Sequence, residues 1–151
     1  MSSTLEDGDR VIASLLPHDY QQGDIVVINS HTSITLNNDN SLRITDSANG
    51  RIVKRIIATG GQSVDIDFGA GAVFVDGERI FERYLTYGLT HKDEGAFDYP
   101  VTVPDGYVFV MGDNRSVSLD SRSAEMGFVP ESDIIGRILL RLSPFDKFGT
   151  L

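Results

Sequence analysis

Cysteine is absent from the 151 residues, which excludes disulfide bonds, thiol catalysis and any zinc site built on thiolates. Positive charge is scarce, with 13 Lys and Arg against 22 Asp and Glu and a net charge of -9. Such an acidic chain is poorly suited to polyanions, so neither nucleic acid nor an anionic lipid surface is expected as its main partner. The three histidines, His18, His31 and His91, have no metal-ligand spacing and are read as surface or loop residues. No metal and no cofactor are expected. Long apolar runs are also missing: IIGRILLRL, 134–142, is interrupted by Arg137 and Arg141, far short of the roughly 20 apolar residues that cross a bilayer. The opening MSSTLEDGDR is acidic and lacks the apolar stretch of a secretory signal. The 151 residues are therefore expected to be soluble by themselves.

What is present favours a globular β protein. Hydrophobic residues make up 40% and charged ones 23%, a balance that can fill one core. Short Val/Ile-rich runs alternate with turn residues. DRVIAS, 9–14, follows the Asp7-Gly8 turn, and DIVVIN, 24–29, reads as a strand buried on both faces. Within the polar segment 30–50, ITL and LRIT can pair across NNDN, and Asn49-Gly50 reads as a hairpin turn feeding RIVKRIIAT. SVDID, AVFVD, the Asp76-Gly77 turn, VTVP, YVFVM and IIGRILLRL supply further strands. Residues 86–100 lack periodicity and read as a long surface loop. The expectation is one all-β domain over 1–151, of coiled antiparallel sheets, with one short helix near the 120s.

Chemistry concentrates in two places. In RIVKRIIAT the two-residue period puts Lys54 on one face with Ile52 and Ile56, and Arg55 on the other with Val53 and Ile57. A lysine between isoleucines is desolvated, which lowers its pKa from about 10.4 toward the range where a neutral amine accepts a proton. The plainer alternative is a surface lysine whose stem covers apolar side chains while its head stays in water. The second place is MGDNRSVSLDSR, 111–122, where two carboxylates, two guanidiniums and three serines lie beside an apolar run. A serine there could aim a lysine's lone pair, and either Asp113 or Asp120 could neutralise a buried Arg55.

The stretch Met111 to Arg122 resembles the GDNRxxSxDSR box of bacterial type I signal peptidases, and VKRIIATGG is similar to that family's lysine box, VKRVIGLPGD. TLEDGDRV, QQGDIVVI, VFVDGERIFERYL and GFVPESDIIGRILLRLSP resemble four further family segments, in order, leaving 30–50 and 86–100 unmatched. The resemblance implies a Ser/Lys-dyad serine endopeptidase that removes signal peptides from secreted preproteins after small-x-small sequences. It assigns Lys54 as general base and Ser118 as the residue orienting it. Asp120 with Arg122, and Asp113 with Arg55, would be supporting ion pairs. Leu5, Val11, Ala13 and Val53 fall where the family lines its substrate pockets.

The resemblance has departures. ATGGQ stands where GLPGD is usual, and Ser3 where the nucleophile box has Pro. Counting back from Gly8 puts the nucleophilic serine immediately before Met1, so these residues alone are expected to be inactive unless Ser2 or Ser3 substitutes in a shifted register. A residue two positions further upstream, which in the family can donate to the oxyanion, would precede the chain too. A membrane anchor is expected upstream, holding this domain on the extracytoplasmic face of a bacterial membrane. Two other readings stay open: a non-catalytic relative that binds secreted or pilin subunits, and a self-cleaving repressor-type Ser/Lys domain.

Overall fold

The computed structural model of the chain describes residues 4–16, 19–85, 90, 95–144 and 148–150, with backbone alone at 48 and 49. After the Asp7-Gly8 turn, where the Asp9 N–H bonds the Glu6 carbonyl at 3.1 Å, β1 runs Arg10–Ser14 and β2 Ile25–Leu36. Next come β3, Leu42–Thr59, β4, Ser63–Asp67, β5, Ala72–Val75, β6, Glu78–Arg79, and β7, Val101–Thr102. Then follow β8, Tyr107–Met111, β9, Val129–Pro130, β10, Ile134–Ser143, and β11, Gly149–Thr150. The larger sheet has the order β1-β10-β2-β3-β8-β9, with β11 also on β10, and the smaller one β6-β5-β4-β7. The strand pairs are antiparallel, and the all-β expectation holds.

Turn chemistry accounts for most of the strand boundaries. Asp76 (φ 53°) and Gly77 (φ 80°) both occupy the left-handed region, as a two-residue turn between β5 and β6 requires. ITL and LRIT pair as expected, with Ile34 opposite Ile44 and Leu36 opposite Leu42. Asn49-Gly50, by contrast, makes no hairpin. It lies within β3, where 47–49 bulge out opposite the single residue 31 between the pairs Ser30–Gly50 and Thr32–Asp46. Gly50 has φ 66°, and a bulge uses that conformation as readily as a turn does.

Two apolar clusters cover the two faces of β3 and β8. Ile57, Phe109 and Met111 pack with Val64, Val73 and Phe128 between the sheets. Ile56, Val108 and Val110 pack with Val26, Ile28 and Ile134 on the other side. Two expectations need correcting. The described part of 86–100 is not simply surface: Thr90, Ala96 and Phe97 are buried, and the Phe97 ring lies 4.3 Å from that of Phe128. Around the 120s the chain forms hydrogen-bonded turns rather than a helix, and a single 3₁₀ turn occurs later, at Glu131–Asp133. Ser121, Arg122 and Ser123 are committed to the core, and only Ala124 and Glu125 between them and Met126 face solvent. Among the described residues no helix is long and apolar enough to cross a membrane.

Candidate active site

Register brings the two chemical segments together. Arg55 pairs with Met111 and Ile56 with Val110, so β3 delivers Lys54 and Arg55 to the point where the chain leaves β8 as Gly112-Asp113. Lys54 is only 8% exposed. Burial lowers its pKa from the ordinary lysine value; the Asp120 carboxylate opposes this, Arg122 adds to it, and Asp113 opposes it again. Desolvation prevails over the two carboxylates, because each is already committed to an arginine.

Those commitments are bidentate. Arg55 Nε and Nη2 donate to the two oxygens of Asp113 at 3.0 and 2.8 Å, and Nη1 donates to the Gly23 carbonyl at 2.8 Å. Of the two carboxylates within reach of the sequence argument, Arg55 therefore takes Asp113. Arg122 Nε and Nη2 donate to Asp120 at 2.8 and 2.9 Å, with both side chains at 0% exposure. Asp120 also accepts the Gly112 N–H at 3.0 Å.

Ser118 lies against this corner. Its Oγ is buried and has no hydrogen-bond partner among the described residues, although a buried hydroxyl left unpaired costs about 1–3 kcal/mol. Gly112 makes room for it, since a Cβ there would stand 2.1 Å from Ser118 Oγ. An unpaired hydroxyl and a lysine inclined to give up its proton thus lie around the same turn.

The amino-terminal segment reaches the same corner. Thr4 Oγ1 donates to Asp113 Oδ2, and Arg141 Nη2 donates to the Thr4 carbonyl, while Arg141 Nε stands 3.4 Å from Asp9. Leu5, next to Thr4, is half-buried, as are Val11 and Ala13 on β1, an edge strand of the larger sheet. Val53 is half-buried opposite Val27. The sheet order puts β10 and β2 between β1 and β3, so hydrogen-bonded pairing does not by itself bring these four residues together. Met1, Ser2, Ser3, His18 and His91 lie outside the described residues; His31 is exposed on β2.

Several residues of the corner lie in segments that resemble the family but had no role assigned from the sequence. The Tyr84 ring covers the Arg55 guanidinium at 4.0 Å, and its hydroxyl donates to Glu82 at 3.0 Å. Burial, and after it the Glu82 carboxylate, push the Tyr84 phenol far above its ordinary pKa, so it remains a proton donor. Glu82 also accepts from Arg115, a residue 2% exposed. The available signal is alternation after the Asp76-Gly77 turn: Phe81 and Arg83 are exposed, whereas Glu82 and Tyr84 turn inward.

Comparison with known proteins agrees with the geometry. The family model described as "Signal peptidase, peptidase S26" matches residues 1–143. The chain is 35% identical to the probable signal peptidase I-1 of Synechocystis sp. over 156 aligned residues, covering 100% of this chain and 70% of that protein. It is 31% identical to signal peptidase IB of Staphylococcus aureus, covering 98% of this chain and 75% of the relative. The crystal structure of a signal peptidase I from Enterococcus faecalis superposes with a TM-score of 0.55 at 25% identity, over 80% of this chain and 97% of the other.

Proposed function

The chain belongs to the signal peptidase family, peptidase S26, and on that premise we propose that Lys54 is the general base of a Ser/Lys endopeptidase that removes signal peptides from preproteins. The observation that carries this reading is a lysine 8% exposed, with its pKa lowered by burial, at the turn that holds the unpaired hydroxyl of Ser118. A neutral amine in such a site takes a proton from an attacking hydroxyl and later returns it to the leaving amine. Ser118 aims the Lys54 nitrogen, and the Arg55–Asp113 and Arg122–Asp120 pairs hold the turn.

The nucleophile in this reading is a serine directly before Met1. Its Oγ attacks the carbonyl after a small-x-small sequence and its proton passes to Lys54. The amine leaves with that proton, and a water activated by the same lysine then hydrolyses the acyl-enzyme. The substrate lies extended along a strand edge, held by main-chain hydrogen bonds, with Leu5, Val11, Ala13 and Val53 shaping pockets that take only small side chains.

Cleavage of a peptide carrying an Ala-x-Ala signal sequence, in detergent, tests the reading. The 151 residues should not cleave it; the same chain with Ser directly before Met1 should, and Lys54→Ala should abolish that turnover. Lys54-dependent cleavage by the 151 residues alone would move the nucleophile to Ser2 or Ser3. No cleavage with the added serine would turn the reading toward a non-catalytic binding module.

A further inference from the structure

Six residues close a ring behind Lys54. Starting at Asp113, the ion pair leads to Arg55, whose guanidinium lies under the Tyr84 ring. The Tyr84 hydroxyl leads to Glu82, Glu82 to Arg115, and Arg115 Nε to the Gly112 carbonyl at 3.0 Å. Gly112 is joined by its peptide bond to Asp113, which completes the circuit. Arg115 is fixed twice more, donating from Nη1 to Thr90 Oγ1 at 2.6 Å and accepting at its carbonyl from Arg122 Nη2 at 2.9 Å. The ring holds two arginines and two carboxylates, so it is electrically balanced, and the Glu82 side chain is only 8% exposed.

We propose that Glu82 and Tyr84 are positioning residues for Lys54, acting through this ring to hold Asp113 and the Gly112 backbone against which Ser118 rests. The proposal rests on the reading of Lys54 as the general base and extends it to a segment, Glu82 to Tyr84, that lies in sequence outside both the lysine box and the GDNRxxSxDSR box. Two features argue for it. Gly112 is gripped at both ends, its N–H by Asp120 and its carbonyl by Arg115, so releasing Arg115 frees one side of the residue that leaves room for Ser118. Tyr84 lines a cleft of about 520 Å³ together with Gln22, Gly23 and Phe81 while covering Arg55, so its ring keeps water in that cleft off the Arg55–Asp113 pair.

The two residues act on Lys54 in opposite senses, and the test uses that. The charged groups around Lys54 are Asp113, Asp120 and Arg122. Tyr84→Leu uncovers Arg55, loosens its hold on Asp113 and admits water, which favours the Lys54 ammonium. Glu82→Gln leaves Arg115 with an unmatched positive charge, which disfavours it. Titration of the Lys54 side-chain amine by NMR in the 151-residue chain should show the midpoint raised in Tyr84→Leu and lowered in Glu82→Gln. Tyr84→Phe, which keeps the ring, should return most of the way to the parent. With Ser directly before Met1, Tyr84→Leu and Glu82→Gln should lower kcat about 10-fold at little change in KM, as a misplaced base does. Should Tyr84→Leu fail to fold, Glu82→Gln and Tyr84→Phe decide the matter. An unmoved Lys54 midpoint in folded Glu82→Gln, or a raised KM with kcat intact, overturns the proposal. The titration does not depend on the reading beneath it, which fails separately if the parent with its added serine does not cleave.

Discussion

Asp113→Ala removes the carboxylate on which the corner converges. Asp113 is 0% exposed and Arg55 6%, and the substitution strips two of the three hydrogen bonds that hold the guanidinium, leaving the Gly23 carbonyl and the Tyr84 ring. It also frees Thr4 Oγ1. Removing one partner of a buried ion pair costs about 3–5 kcal/mol, because the charge left behind has neither water nor counter-ion. A domain of this size has roughly 5–15 kcal/mol in all, so the variant would lose a large share of its stability, and its Tm should fall by about 10 °C. Urea unfolding followed by circular dichroism measures the loss as a lower midpoint with similar slope. Arg137→Met supplies the internal control. Arg137 and Asp24 stand 3.3 Å apart with side chains 32% and 16% exposed, and a solvent-screened pair is worth about 0–1 kcal/mol. Equal, small shifts in the two variants would refute the argument from burial.

Lys54→Met should raise the urea midpoint at neutral pH, since a lowered folded-state pKa means burial opposes folding below that pKa and ceases to as pH approaches about 10.4. The gain should accordingly shrink as pH rises through the alkaline range; a gain independent of pH would show that Lys54 titrates as a surface lysine. Gly112→Ala places a methyl 2.1 Å from Ser118 Oγ and 2.6 Å from its Cβ, and should cost about 1–3 kcal/mol by overpacking, together with turnover in the serine-restored chain. Ser118→Ala should leave the urea midpoint unchanged or raised, because the deleted hydroxyl has no hydrogen-bond partner among the described residues, while slowing cleavage. A marked loss of stability there would give Ser118 a structural role instead.

How much of this could be read from the chain depended on whether a residue's constraint was local. The opposite placement of Lys54 and Arg55 follows from strand alternation alone, and the Asp76-Gly77 turn from two adjacent residues that tolerate positive φ. Gly50 defeated the same logic, because its conformation serves a bulge inside β3 and only the register of β2 decides between the two. Phe97 shows the limit for loops: nothing in 86–100 repeats, yet stacking against Phe128 draws part of it into the core. Residue types alone left Arg55 a choice between Asp113 and Asp120; the family resemblance pointed to Asp113, and the pairing of β3 with β8 supplies the physical reason, a contact across 58 residues. Glu82 and Tyr84 fall in the family-like segment VFVDGERIFERYL, but what they hold stayed hidden, because their partners Arg55 and Arg115 lie on other elements.

Arginine rather than lysine at positions 55 and 122 explains why so polar a corner can leave Lys54 with a lowered pKa. A guanidinium matches a carboxylate with two parallel hydrogen bonds, and Asp113 and Asp120 are both taken in this way. Each carboxylate so held is a poorer counter-ion for the Lys54 ammonium than a free one would be, although both still raise its proton affinity. Burial can then decide the balance. Buried ion pairs contribute little net stability by themselves, and apolar residues of similar shape would often fold as well. In the proposed mechanism their value lies in occupying the acids, so that Lys54, on the strand face it shares with Ile52 and Ile56, is the cation that can part with its proton.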